Sequence, residues 1–289
     1  MHPQWTQIDT AELILIASGA VLLVAGVLTL SVRRRWSGAL AVAPPPENRV
    51  EPLDVLVTLA AMWLVPSTIY ALIAPADDAP AMQPSTSPAD AIDEAKIIAA
   101  FAVQVIALVI LLAIGRYRFR GGLSGWGFDI RRAATRFSQA VIAYVAVWPL
   151  CFAALHLTVF VARLIAPGFE PQEHATIRTL LSGEAGTIAT LLTVGGALIV
   201  APISEELFFR GLFQPLLAKA SHPRVAVILS GLAFGAFHVP LYHAMPALAV
   251  FGIALGYLYA RTGSLLLVIL LHIVFNGKTL LWLALGYDA

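Results

Sequence analysis

Eight stretches of this chain are apolar over a length that suits a lipid bilayer: Ala11–Ser31, Leu53–Ala74, Ile97–Gly115, Gln139–Ala166, Ile188–Ala218, Val225–Val239, Pro246–Ala260 and Ser264–Leu285. A helix needs about 20 apolar residues to cross the hydrocarbon. A segment in that medium must satisfy its backbone polar groups internally, which leaves helices or closed barrels. Runs of this length select helices. Only 12% of the 289 residues are charged and the mean hydropathy is +0.84, against about 25% charged residues in soluble domains. The expected class is an all-α, polytopic transmembrane bundle of about eight spans.

Charge fixes the expected orientation. With the first run crossing inward, thirteen lysines and arginines fall on the inner side: Arg33, Arg34, Arg35, Arg49, Arg116, Arg118, Arg120, Arg131, Arg132, Arg136, Lys219, Arg224 and Arg261. Four fall outside, namely Lys96, Arg163, Arg178 and Lys278. The positive-inside rule then places both termini outside. The polar start, residues 1–10, lacks a basic n-region, so the first run reads as a span and not as a cleaved signal peptide. Arg33–Arg35 and Trp36 form its inner stop. Residues 37–52, with Pro44–Pro46, read as an inner loop. Pro75–Glu94, rich in Pro, Ala, Ser and Asp, reads as a flexible outer loop. Residues 121–137 predict a glycine-rich turn followed by a short amphipathic helix on the inner surface. Pro167–Thr187 and Pro240–Met245 are outer segments, and Pro149 is a candidate kink in the fourth span.

Several function classes drop out. There is no Walker-type phosphate loop and no basic, aromatic-laced surface for nucleic acid. The single Cys151 permits no intramolecular disulfide and reads as a packed thiol. His156 reads as a hydrogen-bonding group of the bundle. No internal repeat suggests an inverted-repeat transporter.

The chemistry concentrates in Glu205-Glu206-Leu207-Phe208-Phe209-Arg210, which follows the apolar run Ile188–Ile203. An ionisable residue in a span is expensive and marks a site by default. Glu206 and Arg210 are four apart and share a helix face, while Glu205 projects about 100° to one side. One carboxylate can therefore pair with Arg210 and the other is left for chemistry. Pro202 removes a backbone bond just before the pair and can admit water. Two later spans contribute Phe234 and His238, then His272 and Asn276, each pair again four apart. His238 comes late in its span, so only a short or broken helix would hold it deep. Carboxylates beside imidazoles suit general-base activation of water, and an imidazole with a carboxamide suits an oxyanion. The same groups could hold zinc with an open water position, although HExxH is absent.

Together the three motifs Glu205-Glu206-x-x-x-Arg210, Phe234-x-x-x-His238 and His272-x-x-x-Asn276 resemble those of the CPBP family of intramembrane proteases. That family includes type II CAAX prenyl endopeptidases and bacterial proteins of bacteriocin processing and self-immunity. The resemblance covers about residues 188–277 and divides the chain into N-terminal helices (1–187, four spans) and a catalytic core (188–289, four spans). It implies an intramembrane endopeptidase with an eight-helix, all-α core; the expected setting is a bacterial cytoplasmic membrane, and the charge-based topology puts the active site toward the cytoplasm. Glu205 would activate water with help from His238. Glu206 and Arg210 would support it, with Phe234 alongside, and His272 and Asn276 would hold the oxyanion. If zinc is used, Glu205, His238 and His272 are its candidate ligands, which would make the chain a metalloprotease. The expected partners are membrane lipid and a peptide or protein substrate, prenylated or bacteriocin-like, with no nucleic acid. Two rival readings are a non-catalytic immunity or scaffold protein and a proton-coupled transporter.

Overall fold

A computed structural model describes residues 10–32, 46–65, 68, 94–182, 185–239 and 241–285. Arg33–Arg35, Trp36, most of the 37–52 loop, the second half of the Leu53–Ala74 run, residues 75–93, Pro240 and both extreme ends lie outside the described residues. So, with them, does the expected placement of the termini.

The described residues are helical, with a single isolated bridge between Asn48 and Phe119. We label the helices α1 (Thr10–Val32), α2 (Pro52–Leu64), α3 (Glu94–Arg118), α4 (Ala133–Ile165), α5 (Ala175–Ser182), α6 (Thr187–Ala220), α7 (Pro223–Ala236), α8 (Met245–Thr262) and α9 (Leu265–Ala284). Five spans are long and apolar enough to cross a membrane, those of α3, α4 (counted from Ile130), α6, α8 and α9. The expected remaining runs correspond to shorter apolar helices, Leu13–Gly26, Pro52–Leu64 and Pro223–Ala236.

Burial ranks the helices. The apolar window of α9 is 39% buried, against 11% for α3 and for α4. So α9 is central, and α3 and α4 turn side chains such as Ile106, Val109, Leu157 and Phe160 outward, as lipid-facing helices do. The short amphipathic helix expected over the arginines before Gln139 is not separate. After a single turn at Ile130–Arg132, α4 begins at Ala133 and runs unbroken through Arg136. No Gly or Pro interrupts residues 133–148, so nothing ends the helix there.

Close approach requires glycine at two kinds of place. Between α7 and α8, a Cβ on Gly231 would lie 2.5 Å from the Ile253 amide nitrogen, and one on Gly252 would lie 2.8 Å from the Gly231 carbonyl. Small residues let the two backbones touch, as membrane helices often require. In the turn after α3, Gly127 has φ +99° and sits against the Gly263 carbonyl of the α8–α9 turn. Only glycine adopts that φ without strain.

Prolines dock helices by freeing carbonyls. Pro149 in α4 cannot donate to Val145, and Gly19 of α1 packs against that carbonyl and the proline ring. In α6, the Gly211 carbonyl lies in the wide turns before Pro215, and the Trp126 indole N–H donates to it at 3.0 Å. A methyl at Gly231 must push α7 from α8. We expect Gly231→Ala to cost about 1–3 kcal/mol of stability, read as a lowered melting temperature in detergent.

Candidate active site

The site is built on α6, a 34-residue helix that is not regular. Residues Gly196–Val200 and Leu207–Phe213 form wide π turns on either side of the α-helical Ala201–Glu206. π turns inside α-helices concentrate at functional sites. In the first, the Ala201 N–H donates to Gly196, five residues back. Pro202 cannot make the next such bond, to Ala197. The orphaned Ala197 carbonyl accepts from the Asn276 amide of α9 at 2.9 Å. The proline before the acidic pair thus supplies the anchor for the last residue of the third motif.

The two carboxylates divide as their spacing requires. Glu206 and Arg210 are both 0% exposed, and Arg210 Nη1 donates to Glu206 Oε1 at 2.8 Å. Arg210 Nη2 donates to the Gly252 carbonyl of α8 at 2.8 Å. Its guanidinium lies 4.7 Å from the Phe234 ring centroid and 5.7 Å from that of Phe209. Such a charge is tolerable only with several partners. His272 Nδ1 lies 2.9 Å from the same Glu206 oxygen, so that nitrogen carries the proton and donates. This fixes the ring and leaves Nε2 facing away from Glu206, in the manner of an outer group that sets a tautomer. Phe234 and Phe251 hold the imidazole by their edges and faces, at 5.6 and 5.5 Å.

Glu205 is different. Its side chain is 21% exposed, and Oε2 is 3.9 Å from His272 Nε2 with no hydrogen-bond partner. That separation is too long for a direct hydrogen bond. Glu205, His238, His272 and Asn276 line one cavity of about 680 Å³, a size typical of small-ligand sites. His238 Nδ1 lies 2.7 Å from the Phe234 carbonyl in its own helix, which again leaves Nε2 for the cavity. It is half-buried in the turn that follows α7, which has only 14 residues and ends at Ala236. Glu206, Arg210 and Phe234 stand behind the cavity wall, fully buried.

Among the described residues, no three His, Cys, Asp or Glu side chains converge to hold a metal ion. The residues of the zinc set expected as one alternative, Glu205, His238 and His272, line the cavity without converging on one point. Cys151 is buried in the core. His156 bonds the Phe152 carbonyl of its own helix at 3.0 Å.

The sequence reading missed one wall. Lys96, Ile97, Ala100, Phe101 and Gln104 of α3, with His174 and α5, line the same cavity. Gln104 carried a signal, being a polar side chain inside an apolar span. The helices before residue 188 thus complete the site even though they hold no motif.

Residues 185–277 match the family described as Type II CAAX prenyl endopeptidase Rce1-like. That match covers about a third of the chain, and the family it points to is one of proteases. With the five apolar helices, the match points to a multi-pass membrane protein. No curated protein and no solved structure matches the chain.

Two outcomes test the site's electrostatics. Removing Arg210 strands a buried carboxylate. Arg210→Met should cost about 3–5 kcal/mol, seen as loss of the folded protein or a large fall in melting temperature. His174, outside the spans and exposed at the cavity rim, has its pKa lowered from 6.5 by partial desolvation of the ring, then by the charges of His238 and Arg178, an effect that solvent screens. The unfolded chain therefore takes up the proton first as pH falls. The stability is full above pH 6.5 and declines toward the folded value. The melting temperature should drop on moving from about pH 7 to about pH 5, and less so in His174→Gln.

Proposed function

We propose that the chain is an intramembrane endopeptidase in which Glu205 is the general base. The observation that carries this is the unequal fate of two adjacent carboxylates. Glu206 is fully buried and locked by Arg210 and His272, while Glu205 is 21% exposed, lines a roomy cavity and is held by no ion pair to Arg210.

In this reading a water is held between Glu205 and the free Nε2 of His238. Glu205 takes one proton from it, and the hydroxide oxygen bonds to the carbonyl carbon of the peptide. The carbonyl π pair moves to oxygen. The oxyanion accepts from the second amide N–H of Asn276, whose first is committed to Ala197. His272 donates as well when its Nε2 carries a proton. The C–N bond then breaks, and protonated Glu205 gives its proton to the leaving amine. Atoms and charge balance, with one water consumed. Glu206 and Arg210 act through His272 and are positioning residues. Eight spans remain the proposed arrangement, with the three shorter helices crossing beside the five long ones. The apolar cavity walls fit an extended peptide segment of a membrane-associated chain.

Glu205→Gln keeps the shape and removes the base. It should lower cleavage of a reporter peptide by about 10²- to 10⁴-fold with the melting temperature unchanged, and a chelator should not reproduce that loss. Wild-type turnover by a folded Glu205→Gln protein would overturn Glu205 as the base.

A further inference from the structure

The two ends of the bundle differ in charge, and the cavity opens at only one of them. At one end the Arg49 N–H donates to the Arg118 carbonyl at 2.7 Å and Lys219 Nζ to the Val50 carbonyl at 2.7 Å. The Leu265 N–H donates to Gly127 at 3.0 Å. These bonds bring together the segment before α2, the end of α3, the turns before α4, the end of α6 and the α8–α9 turn. At the other end Gly186 donates to Glu94 Oε1 at 3.0 Å, and the Phe169 and His243 rings lie 6.4 Å apart. The first end holds ten lysines and arginines among the described residues, from Arg49 to Arg261. The second holds four: Lys96, Arg163, Arg178 and Lys278. The connections at the first end are short, which is where the positive-inside bias acts. An anionic cytoplasmic leaflet attracts the same cations. The arginine-rich end is therefore the cytoplasmic one.

The cavity runs the other way. On α6 its lining residues begin at Leu192 and stop at Glu205, thirteen positions or about 20 Å along the axis. On α3 they lie within Lys96–Gln104, at the start of that helix. On α9 they begin at His272 and continue to Leu280, away from the α8–α9 turn. His174 and Leu241 stand at the mouth, in the connections of the second end. Below Glu205 the route is closed. Phe208, Phe209, Arg210 and Leu212 are fully buried, and Trp126 seals Gly211 from the arginine-rich side.

We infer that the cleft opens on the non-cytoplasmic face of the membrane and takes an extended apolar segment of a chain tethered on that face. The peptide nature of the occupant rests on the proposed protease function, whereas the side of entry does not. Entry lies opposite to the cytoplasmic side expected from the sequence. A lipidated tail displayed only in the cytoplasm is excluded as substrate, and an exported, membrane-tethered chain is admitted.

The test uses the full chain carrying Cys151→Ser, so that no native thiol reports. Single cysteines are placed at Gly168→Cys, where an added Cβ meets nothing within 4 Å, at Leu241→Cys in the mouth, and at the exposed Arg131→Cys of the arginine-rich end. A membrane-impermeant maleimide is applied to right-side-out spheroplasts and to inverted vesicles. Gly168→Cys and Leu241→Cys should label in spheroplasts without permeabilisation, and Arg131→Cys only in inverted vesicles. The reverse pattern overturns the inference. So does labelling of Gly168→Cys from outside with Leu241→Cys silent there, because the cleft would then be shut to that face. Gly168→Cys reports the orientation even if Leu241→Cys fails to fold, and Ile97→Cys then replaces it in the cavity wall. Labelling requires no catalysis, so its outcome is separate from that of Glu205→Gln.

Discussion

Everything in the site hangs on a charge pair with no access to water. Glu206 and Arg210 are both fully buried, where isolated charges would cost several kcal/mol each. Three helices meet to offset that cost. Gly252 of α8 gives Arg210 a carbonyl, Phe234 of α7 gives it a ring face, and His272 of α9 gives Glu206 a donor. Arg210 Nε and Glu206 Oε2 still have no partner, so the network is incompletely satisfied, and such networks make the removal of any member costly. The pair therefore does two things at once. It fixes the relative positions of α6, α7, α8 and α9, and it sets which nitrogen of His272 is turned toward Glu205.

The second constraint is the bilayer's intolerance of unpaired backbone groups. A proline in a span breaks that rule locally and must be compensated. Here compensation joins one helix to another. Asn276 meets the carbonyl freed at Pro202, and Trp126 meets the Gly211 carbonyl in the wide turns before Pro215. Gln214 extends the pattern, donating to the Gly256 carbonyl one helical turn beyond Gly252. The π turns on either side of the acidic pair widen α6 at the depth where a cavity is needed. A continuous α-helix would have satisfied its own carbonyls and offered Asn276 nothing.

Much of this was legible beforehand. The all-α class followed from apolar length, and the division of labour between Glu205 and Glu206 followed from a four-residue spacing. The grouping of His238, His272 and Asn276 around one cavity followed from three motifs read together. What escaped was whatever depends on pairings distant in sequence. Lys96 lies about a hundred residues before the acidic pair with nothing nearby to mark it as a cavity residue, and Gln104, though a polar side chain in an apolar span, gives no sign of which cavity it lines. The separate surface helix before Gln139 failed for a local reason, since basic residues at the start of a long helix look the same as a short amphipathic one.

The sequence by itself determined the medium, the helical class and the chemical inventory, because hydrophobic length, charge bias and i, i+4 spacing are local quantities. Only the tertiary structure decided that Glu205 faces open space while Glu206 does not, that the zinc set does not converge, and toward which end the cavity runs. Those depend on where side chains from α3, α5, α6, α7 and α9 end up relative to one another. A periodicity along one helix gives the face a residue occupies, but what stands opposite that face is set by packing among helices far apart in the chain.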